Sequence, residues 1–149
     1  MKRGLVIVFR LVPLLVLTGC VTYQKHDRPI FPEAREDKGL LYFYRDDVIS
    51  DSSSECYITR DDLIVGRLFA RSYTFIFSEP GSFLFRAQRG PGIGYRIPVE
   101  GGRTYYFRVE LKPIWGGVMG YGLDLIPVPE EEAMSKMRDL TYVSMERKK

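Results

Sequence analysis

From Gly39 onward, short apolar runs are separated by turn-forming residues. In the clearest run, TYYFRVEL at 104–111, every second residue from Tyr105 to Leu111 is apolar. A period of two with one polar face predicts a half-buried antiparallel strand. Seven further runs predict strands as well, on the same grounds of short apolar or alternating texture between turns: LLYFYR (40–45), CYITR (56–60), LIVGRL (63–68), YTFIF (73–77), SFLFRAQ (82–88), YRIPV (95–99) and LDLIPV (123–128).

A helix is predicted after the last of these strands. Pro129 is followed by three glutamates, and proline in the first turn with acids at the positive end is typical of a helix start. Ala133, Met137 and Leu140 are then expected to face inward. The whole pattern predicts a mainly β fold, a single antiparallel β-sandwich of about seven to eight strands with one C-terminal helix.

The first twenty residues have a different pattern. Lys2 and Arg3 precede an apolar run of 16 residues that Arg10 and Pro13 interrupt. A spanning helix needs roughly 20 apolar residues in succession. A basic start, a short apolar part and small residues before a cleavage point are instead typical of a secretory signal.

The end of this signal, Leu17-Thr18-Gly19-Cys20, resembles the bacterial lipoprotein box. In that family the cysteine sulfur is diacylglycerated, the signal is cut before the cysteine, and the new amine is usually acylated. The resemblance implies that Cys20 is the first residue of the mature protein and its bilayer anchor, since two or more chains hold a protein on a membrane. Val21 resembles an outer-membrane sorting signal if the host is diderm. An ordinary secretion signal with a chance cysteine is the alternative.

Three segments are therefore predicted: a lipoprotein signal peptide at 1–19, a lipidated N-terminus and tether at 20–38, and a β-sandwich domain with its helix at 39–149. The tether is predicted because its sequence is polar, contains two prolines and lacks an apolar period. Its 18 residues after Cys20 would reach at most roughly 60 Å. Docking of Ile30 and Phe31 on the domain is an alternative to a free segment.

The charge balance argues against a nucleic-acid partner. Removal of 19 of the 149 residues leaves 130, and the 22 basic residues fall to 19, equal to the 19 acidic ones. Phosphate neutralisation needs a basic surface, which these totals do not favour. Cys56 is expected to be a small buried thiol; an intermolecular disulfide is the alternative. The only histidine, His26, lies in the polar segment, so a catalytic Cys/His pair is not expected.

The loop KPIWGGVMGYG at 112–122 is the candidate partner-binding element. Loops on rigid scaffolds commonly carry binding, and Trp, Met and Tyr are enriched in interfaces. Trp115, Met119 and Tyr121 are the candidate contact residues. The alternative is that Trp115 folds back and covers the open end of the sandwich.

The acidic loop after the first predicted strand offers weak candidates for a metal site. Asp46, Asp47, Asp51 and Glu55 carry hard oxygen ligands that calcium accepts, but their spacing is not that of an EF-hand. We expect a solvated loop, and no cofactor other than the covalent lipid. No catalytic residue is predicted, because the sequence lacks a GxSxG elbow and a set of zinc ligands.

Residues 39 to about 128 resemble a family of bacterial lipoproteins described as domain of unknown function 2846. The resemblance is carried by LLYFYR, CYITRDDLIVGRL, RSYTFIFSEPGSFLF and GGRTYYFRVEL. At the hairpin turn this chain has Asp61-Asp62 where Asp-Gly is usual. The resemblance implies a β-sandwich and an envelope location, and it supplies no catalytic residues.

Two functions are compatible with these features. The first is a membrane-anchored envelope lipoprotein whose non-catalytic domain binds a protein partner or scaffolds an assembly. The alternative is a ligand-binding or enzymatic module that acts on envelope material through loops at one end of the sandwich. A flat apolar surface around 113–122 would favour the first, and a deep pocket with converging polar groups would favour the second.

Overall fold

The computed structural model describes residues 21–46, 55–89, 93–113 and 121–147. Within these ranges the chain forms ten strands and one helix. Their bounds are β1 Val21–His26, β2 Gly39–Arg45, β3 Cys56–Arg60, β4 Leu63–Leu68, β5 Ser72–Ser78, β6 Gly81–Gln88, β7 Gly94–Val99, β8 Thr104–Pro113, β9 Tyr121–Pro127, α1 Glu130–Met137 and β10 Thr141–Arg147.

The strands form two sheets. One has six strands in the order β1-β10-β5-β2-β8-β9, and the other has four in the order β4-β3-β6-β7. All eight strands predicted from the sequence are present as β2 to β9, and the prediction of a mainly β fold is confirmed. The predicted number of seven to eight is too low, because β1 and β10 were not expected.

The expectation of a purely antiparallel arrangement is wrong at two strand pairs. Strands β2 and β8 run parallel, with Leu40 opposite Thr104, and β10 runs parallel to β5. Parallel neighbours need a long crossover connection. The chain between β2 and β8 supplies one, since it passes through the four-stranded sheet before it returns.

A core shared by both sheets, the inter-sheet core, lies on one face of the six-stranded sheet. Phe43 of β2 contacts Phe107 of β8 and Phe85 of β6, with ring centroids 5.4 and 5.8 Å apart. The alternation predicted for β8 is confirmed, because Phe107 and Val109 both point into this core. Its buried members are Leu41, Phe43, Cys56, Ile58, Leu68, Phe85, Ala87, Ile97, Val99, Phe107, Val109, Leu123 and Leu125. The prediction of a buried Cys56 thiol is thus confirmed.

The opposite face of the six-stranded sheet, the tyrosine face, is covered by α1 and by the chain before β2. As predicted, the helix follows Pro129 with three acids in its first turn and turns Ala133 and Met137 inward. It is not the last element, as had been expected, because the chain continues into β10. The buried members of this face are Leu40, Tyr42, Tyr44, Tyr73, Ala133, Met137, Leu140 and Tyr142.

Residues predicted to form a free tether are part of the folded domain instead. Strand β1 pairs along its whole length with β10, from Val21 opposite Arg147 to His26 opposite Tyr142. Further along, Phe31 stacks on Tyr73, with ring centroids 5.3 Å apart. Docking of Phe31, the alternative to a free segment, is therefore observed. The segment lacks an apolar period, and its contacts come from strand pairing and one inserted ring.

Strands β1 and β10 form a two-stranded ribbon that leaves the six-stranded sheet. β10 pairs with β5 only at Thr141–Ser72 and Tyr142–Tyr73. Beyond these pairs the ribbon lies beside β4, where Met145 and Ile64 line the same hollows. The ribbon therefore bridges one open edge between the two sheets.

The β3–β4 turn explains why the expected glycine is dispensable. Asp61 and Asp62 both have positive φ angles, 47° and 68°, the backbone pattern of a type I′ hairpin turn. Neighbouring β6 holds both residues. The Asp61 carboxylate accepts a hydrogen bond from the Leu84 N–H at 3.0 Å, and Asp62 pairs with the Arg86 guanidinium at 2.5 Å. Aspartate tolerates the left-handed region better than most residues.

Candidate functional site

The β8–β9 hairpin carries the predicted partner-binding loop. Its arms are paired continuously from Phe107–Pro127 to Pro113–Tyr121. Tyr121 is the first residue of β9, and Trp115 and Met119 lie outside the described residues. The hairpin includes the edge strand of the six-stranded sheet. The structure thus defines the two positions, Pro113 and Tyr121, from which the loop leaves the sheet.

A buried carboxylate stabilises this hairpin close to the point where the loop leaves it. Asp124 of β9 is only 4 % exposed, and its Oδ2 lies 3.0 Å from Lys112 Nζ on β8. Its Oδ1 accepts the Leu125 N–H at 2.9 Å. Burial acts to raise the pKa of Asp124, but hydrogen bonds from Tyr95 and Lys112, with the lysine charge, outweigh it and hold the pKa below its usual value.

Tyr95 connects this carboxylate to the other sheet. It belongs to β7, and its hydrogen bond to Asp124, with a smaller effect of burial, raises the pKa of its own hydroxyl. The Lys112–Asp124–Tyr95 group, called the hairpin clamp below, was not found from the sequence. The pattern LDLIPV gave one signal, a lone acid inside an apolar strand, because a buried carboxylate requires partners.

The two described ends of the acidic loop each contact a basic side chain. Asp46 Oδ2 lies 3.8 Å from Lys136 Nζ on α1. At the other end, Glu55 pairs with Arg67 and accepts a hydrogen bond from the Tyr57 hydroxyl at 2.7 Å. Asp47 and Asp51 lie outside the described residues. Within the described part of the chain no three acids, histidines or cysteines are grouped as metal ligands.

A second polar group, also missed from the sequence, fastens α1 to the sheet. Arg108 of β8 contacts Glu110 at 2.5 Å and Glu132 of the helix at 2.8 Å. Tyr44 lies beside it, fully buried, and its hydroxyl has no hydrogen-bond partner of normal geometry among the described residues. The guanidinium still acts on Tyr44 through its charge. Arg108 was assigned correctly to the polar side of β8, but that side faces the helix.

The two residues weighed as a catalytic pair occupy different parts of the fold. Cys56 lies in the inter-sheet core. His26 lies on the ribbon, where its Nε2 is 2.8 Å from Ser144 Oγ and its ring stacks on Tyr142 with centroids 4.8 Å apart. His26 thus contributes to the pairing of β1 with β10.

Two hollows flank the ribbon where it passes β4. The larger, of about 480 Å³, lies between β4, β5 and β10 and includes Arg60, Ile76 and Met145 in its lining. The smaller, of about 220 Å³, lies at the beginning of β1 between Tyr23, Ile64 and Arg67. Cys20, the predicted lipidation site, lies outside the described residues, immediately before β1.

Among the described residues, no helix has the length and apolar character needed to cross a membrane. Comparison of the chain with protein-family models, curated proteins and solved structures found no match in any of the three.

Proposed function

We propose that the protein is a lipid-anchored envelope protein whose β domain binds a protein partner through the β8–β9 loop. Cys20 carries the lipid, and Trp115, Met119 and Tyr121 contact the partner. The observation that carries the proposal is the clamped hairpin, because it presents an apolar, glycine-rich loop on two fixed strands.

The hairpin clamp supports a binding role because it reduces the conformational entropy that the loop loses when it binds a partner. A loop that must be immobilised on binding loses affinity through conformational entropy. Here both loop ends are fixed, since Lys112 and Asp124 join the arms and Tyr95 joins them to the second sheet. Loops on such rigid scaffolds are frequent binding elements.

Anchoring at Cys20 is supported by the lipoprotein box, Leu17-Thr18-Gly19-Cys20. The first strand starts at Val21, directly after the cysteine. We also infer that the two sheets form a β-sandwich, since thirteen buried residues from both of them make one core. The proposal includes a location on the periplasmic face of the outer membrane if the host is diderm. It also includes membership of the family described as domain of unknown function 2846, which the sequence resembles.

Crosslinking in intact cells tests the binding role. The protein is crosslinked and captured, and Trp115→Ala and Tyr121→Ala are compared with Arg103→Ala. Arg103 is an exposed residue just before β8, at the other end of the same strand. We expect one partner to be captured by the native protein and by Arg103→Ala, and to be lost in the loop variants. Capture unchanged in all variants contradicts the assignment to the loop. Absence of a partner, together with turnover of an envelope substrate, favours the enzymatic alternative.

Mass spectrometry tests the anchor separately. The N-terminal peptide of the mature protein is expected to begin at Cys20 and to carry acyl mass. A peptide that begins elsewhere, or that lacks this mass, contradicts the lipidation.

A further inference from the structure

We propose that the domain lies directly on an anionic phospholipid bilayer, with the beginning of β1 and the neighbouring part of β4 against the headgroups. The contact surface, called the ribbon-end surface, consists of Thr22, Tyr23, Ile64, Arg67 and Met145. The proposal rests on the lipidation of Cys20 and replaces the tether expected from the sequence at 20–38.

The distance between anchor and fold is the first argument. Consecutive Cα atoms are about 3.8 Å apart, so the Cys20 backbone lies one such step from Val21. Val21 is already paired with Arg147 in the ribbon. Acyl chains on Cys20 would therefore enter the bilayer next to the ribbon end, and little chain remains to hold the domain away from it.

The chemistry of the ribbon-end surface is the second argument. Tyr23 and Ile64 are 42 % and 46 % exposed, an apolar pair beside a hollow of about 220 Å³. The Arg67 guanidinium lies over the Tyr23 ring, 3.8 Å from its centroid. Tyrosines are enriched at membrane interfaces, and an arginine stem can pack on apolar surface while the Arg67 guanidinium stays paired with Glu55.

Charge is the third argument, and it selects the kind of lipid. The register places Arg147 opposite Val21, and the sequence continues with Lys148 and Lys149. These two lysines are at most about 8 Å along the chain from Arg147. Glu146 is the one acid among the last four residues of the sequence. Clusters of basic residues next to a membrane anchor attract anionic headgroups.

A matched pair of labels tests the proposal. Ile64 and Ile93 have nearly equal exposure, 46 % and 48 %, but Ile64 lies on β4 and Ile93 precedes β7, the opposite edge of the four-stranded sheet. Ile64→Cys and Ile93→Cys, each in the acylated full-length protein, receive a fluorophore and are bound to vesicles. The vesicles contain phosphatidylglycerol with a nitroxide quencher at the headgroup, or phosphatidylcholine with the same quencher. Buried Cys56 is expected to remain unlabelled.

We expect strong quenching at position 64, little at position 93, and a smaller difference on phosphatidylcholine. Lys148→Gln is expected to shift the ratio of docked to undocked domain about fivefold, the effect of one cation near an anionic surface. Equal, weak quenching at both positions on vesicle-bound protein overturns the proposal and leaves the anchor intact. Quenching that is equal at positions 64 and 93, and that occurs only when a protein partner is crosslinked, also overturns the proposal. Failure to bind vesicles, together with a missing acyl mass, overturns the proposed lipidation instead.

Discussion

The two faces of the six-stranded sheet are built by different chemistry. The inter-sheet core consists of aliphatic and phenyl side chains from both sheets and the Cys56 thiol, with the small buried side chain of Thr74 beside it, opposite Phe43. The tyrosine face contains four buried tyrosines and is covered by a short helix and by an irregular segment. Apolar packing dominates the first face, whereas the second buries four phenol hydroxyls that need polar partners.

The hydroxyls of the tyrosine face determine where the covering segment lies. Tyr73 accepts the Ile30 N–H at 2.7 Å and donates to the Ile30 carbonyl at 3.1 Å, and Tyr42 donates to the Pro32 carbonyl at 3.1 Å. Backbone groups of an irregular segment thereby gain partners that no strand would give them. The tyrosine face is therefore held to its covering segment by hydrogen bonds, whereas the two sheets are held together by apolar packing.

Alkaline unfolding should separate the two faces most strongly. Burial raises the pKa of Tyr44 and of Tyr73 to about 12, against about 10 in an unfolded chain. Between these values the unfolded chain loses phenolic protons that the folded one keeps, so stability is full below about pH 10 and falls as pH rises. Each such tyrosine removes about 1.4 kcal/mol per pH unit.

Urea unfolding from about pH 9 to about pH 11 measures this slope. The control is Tyr44→Phe with Tyr73→Phe, which should make the slope shallower by the share of two tyrosines. An unfolding free energy that stays constant through this range, or a slope that the double variant leaves unaltered, contradicts the assignment.

Truncation of a ring in each face should give the next largest effect. Phe43→Ala removes a fully buried ring from the inter-sheet core and is expected to cost about 3–5 kcal/mol in unfolding free energy. Phe31→Ala removes a half-buried ring from the cover of the tyrosine face, at about 1–2 kcal/mol. Denaturant titration of both variants gives the comparison. Equal losses of unfolding free energy in the two variants would show that the covering segment contributes as much to stability as the core does.

The inter-sheet core could be predicted from the sequence because it depends on local alternation. The positions of Phe107 and Val109 follow from the period of two in β8. All eight short apolar or alternating runs form strands. The helix was predicted by its proline and acids. The order of strands could not be obtained in this way, because register and parallel pairing depend on contacts far apart in sequence.

The missed strands and the clamp share a physical reason. β1 and β10 have weak local patterns, and each is stabilised by the other at a separation of more than a hundred residues. The hairpin clamp likewise joins three side chains from three strands. Of the predicted contact residues, Tyr121 is placed at the beginning of β9, whereas Trp115 and Met119 lie outside the described residues and stay predictions. The lipidation site Cys20 also lies outside them and stays a prediction.

Removing single hydroxyls tests whether hydrogen bonds specify the cover. Tyr73→Phe leaves the Ile30 N–H and carbonyl without their partner, and the expected cost is about 1–3 kcal/mol. Tyr44→Phe removes a hydroxyl that lacks a partner of normal geometry among the described residues, so we expect a change of about 0 kcal/mol or a slight gain. Faster amide exchange at Ile30 in Tyr73→Phe alone would support the distinction. Similar losses in both variants would contradict it.

The smallest expected effect concerns the β3–β4 turn, which belongs to the four-stranded sheet alone. Asp62→Gly relieves a positive φ of 68°, which costs an L-residue about 1–2 kcal/mol, and removes an exposed ion pair worth at most about 1 kcal/mol. We expect a net gain of about 0.5 kcal/mol in unfolding free energy.

Asp61→Gly is the matched control for this turn. It also relieves a positive φ, but it removes the acceptor of the Leu84 N–H, so no gain is expected. Because the turn does not contact the tyrosine face, the gain from Asp62→Gly should be the same near pH 8 and near pH 11, within the additivity of distant sites. A gain that disappears in alkali would show that the turn and the tyrosine face are energetically coupled, and would contradict the independence of the two regions.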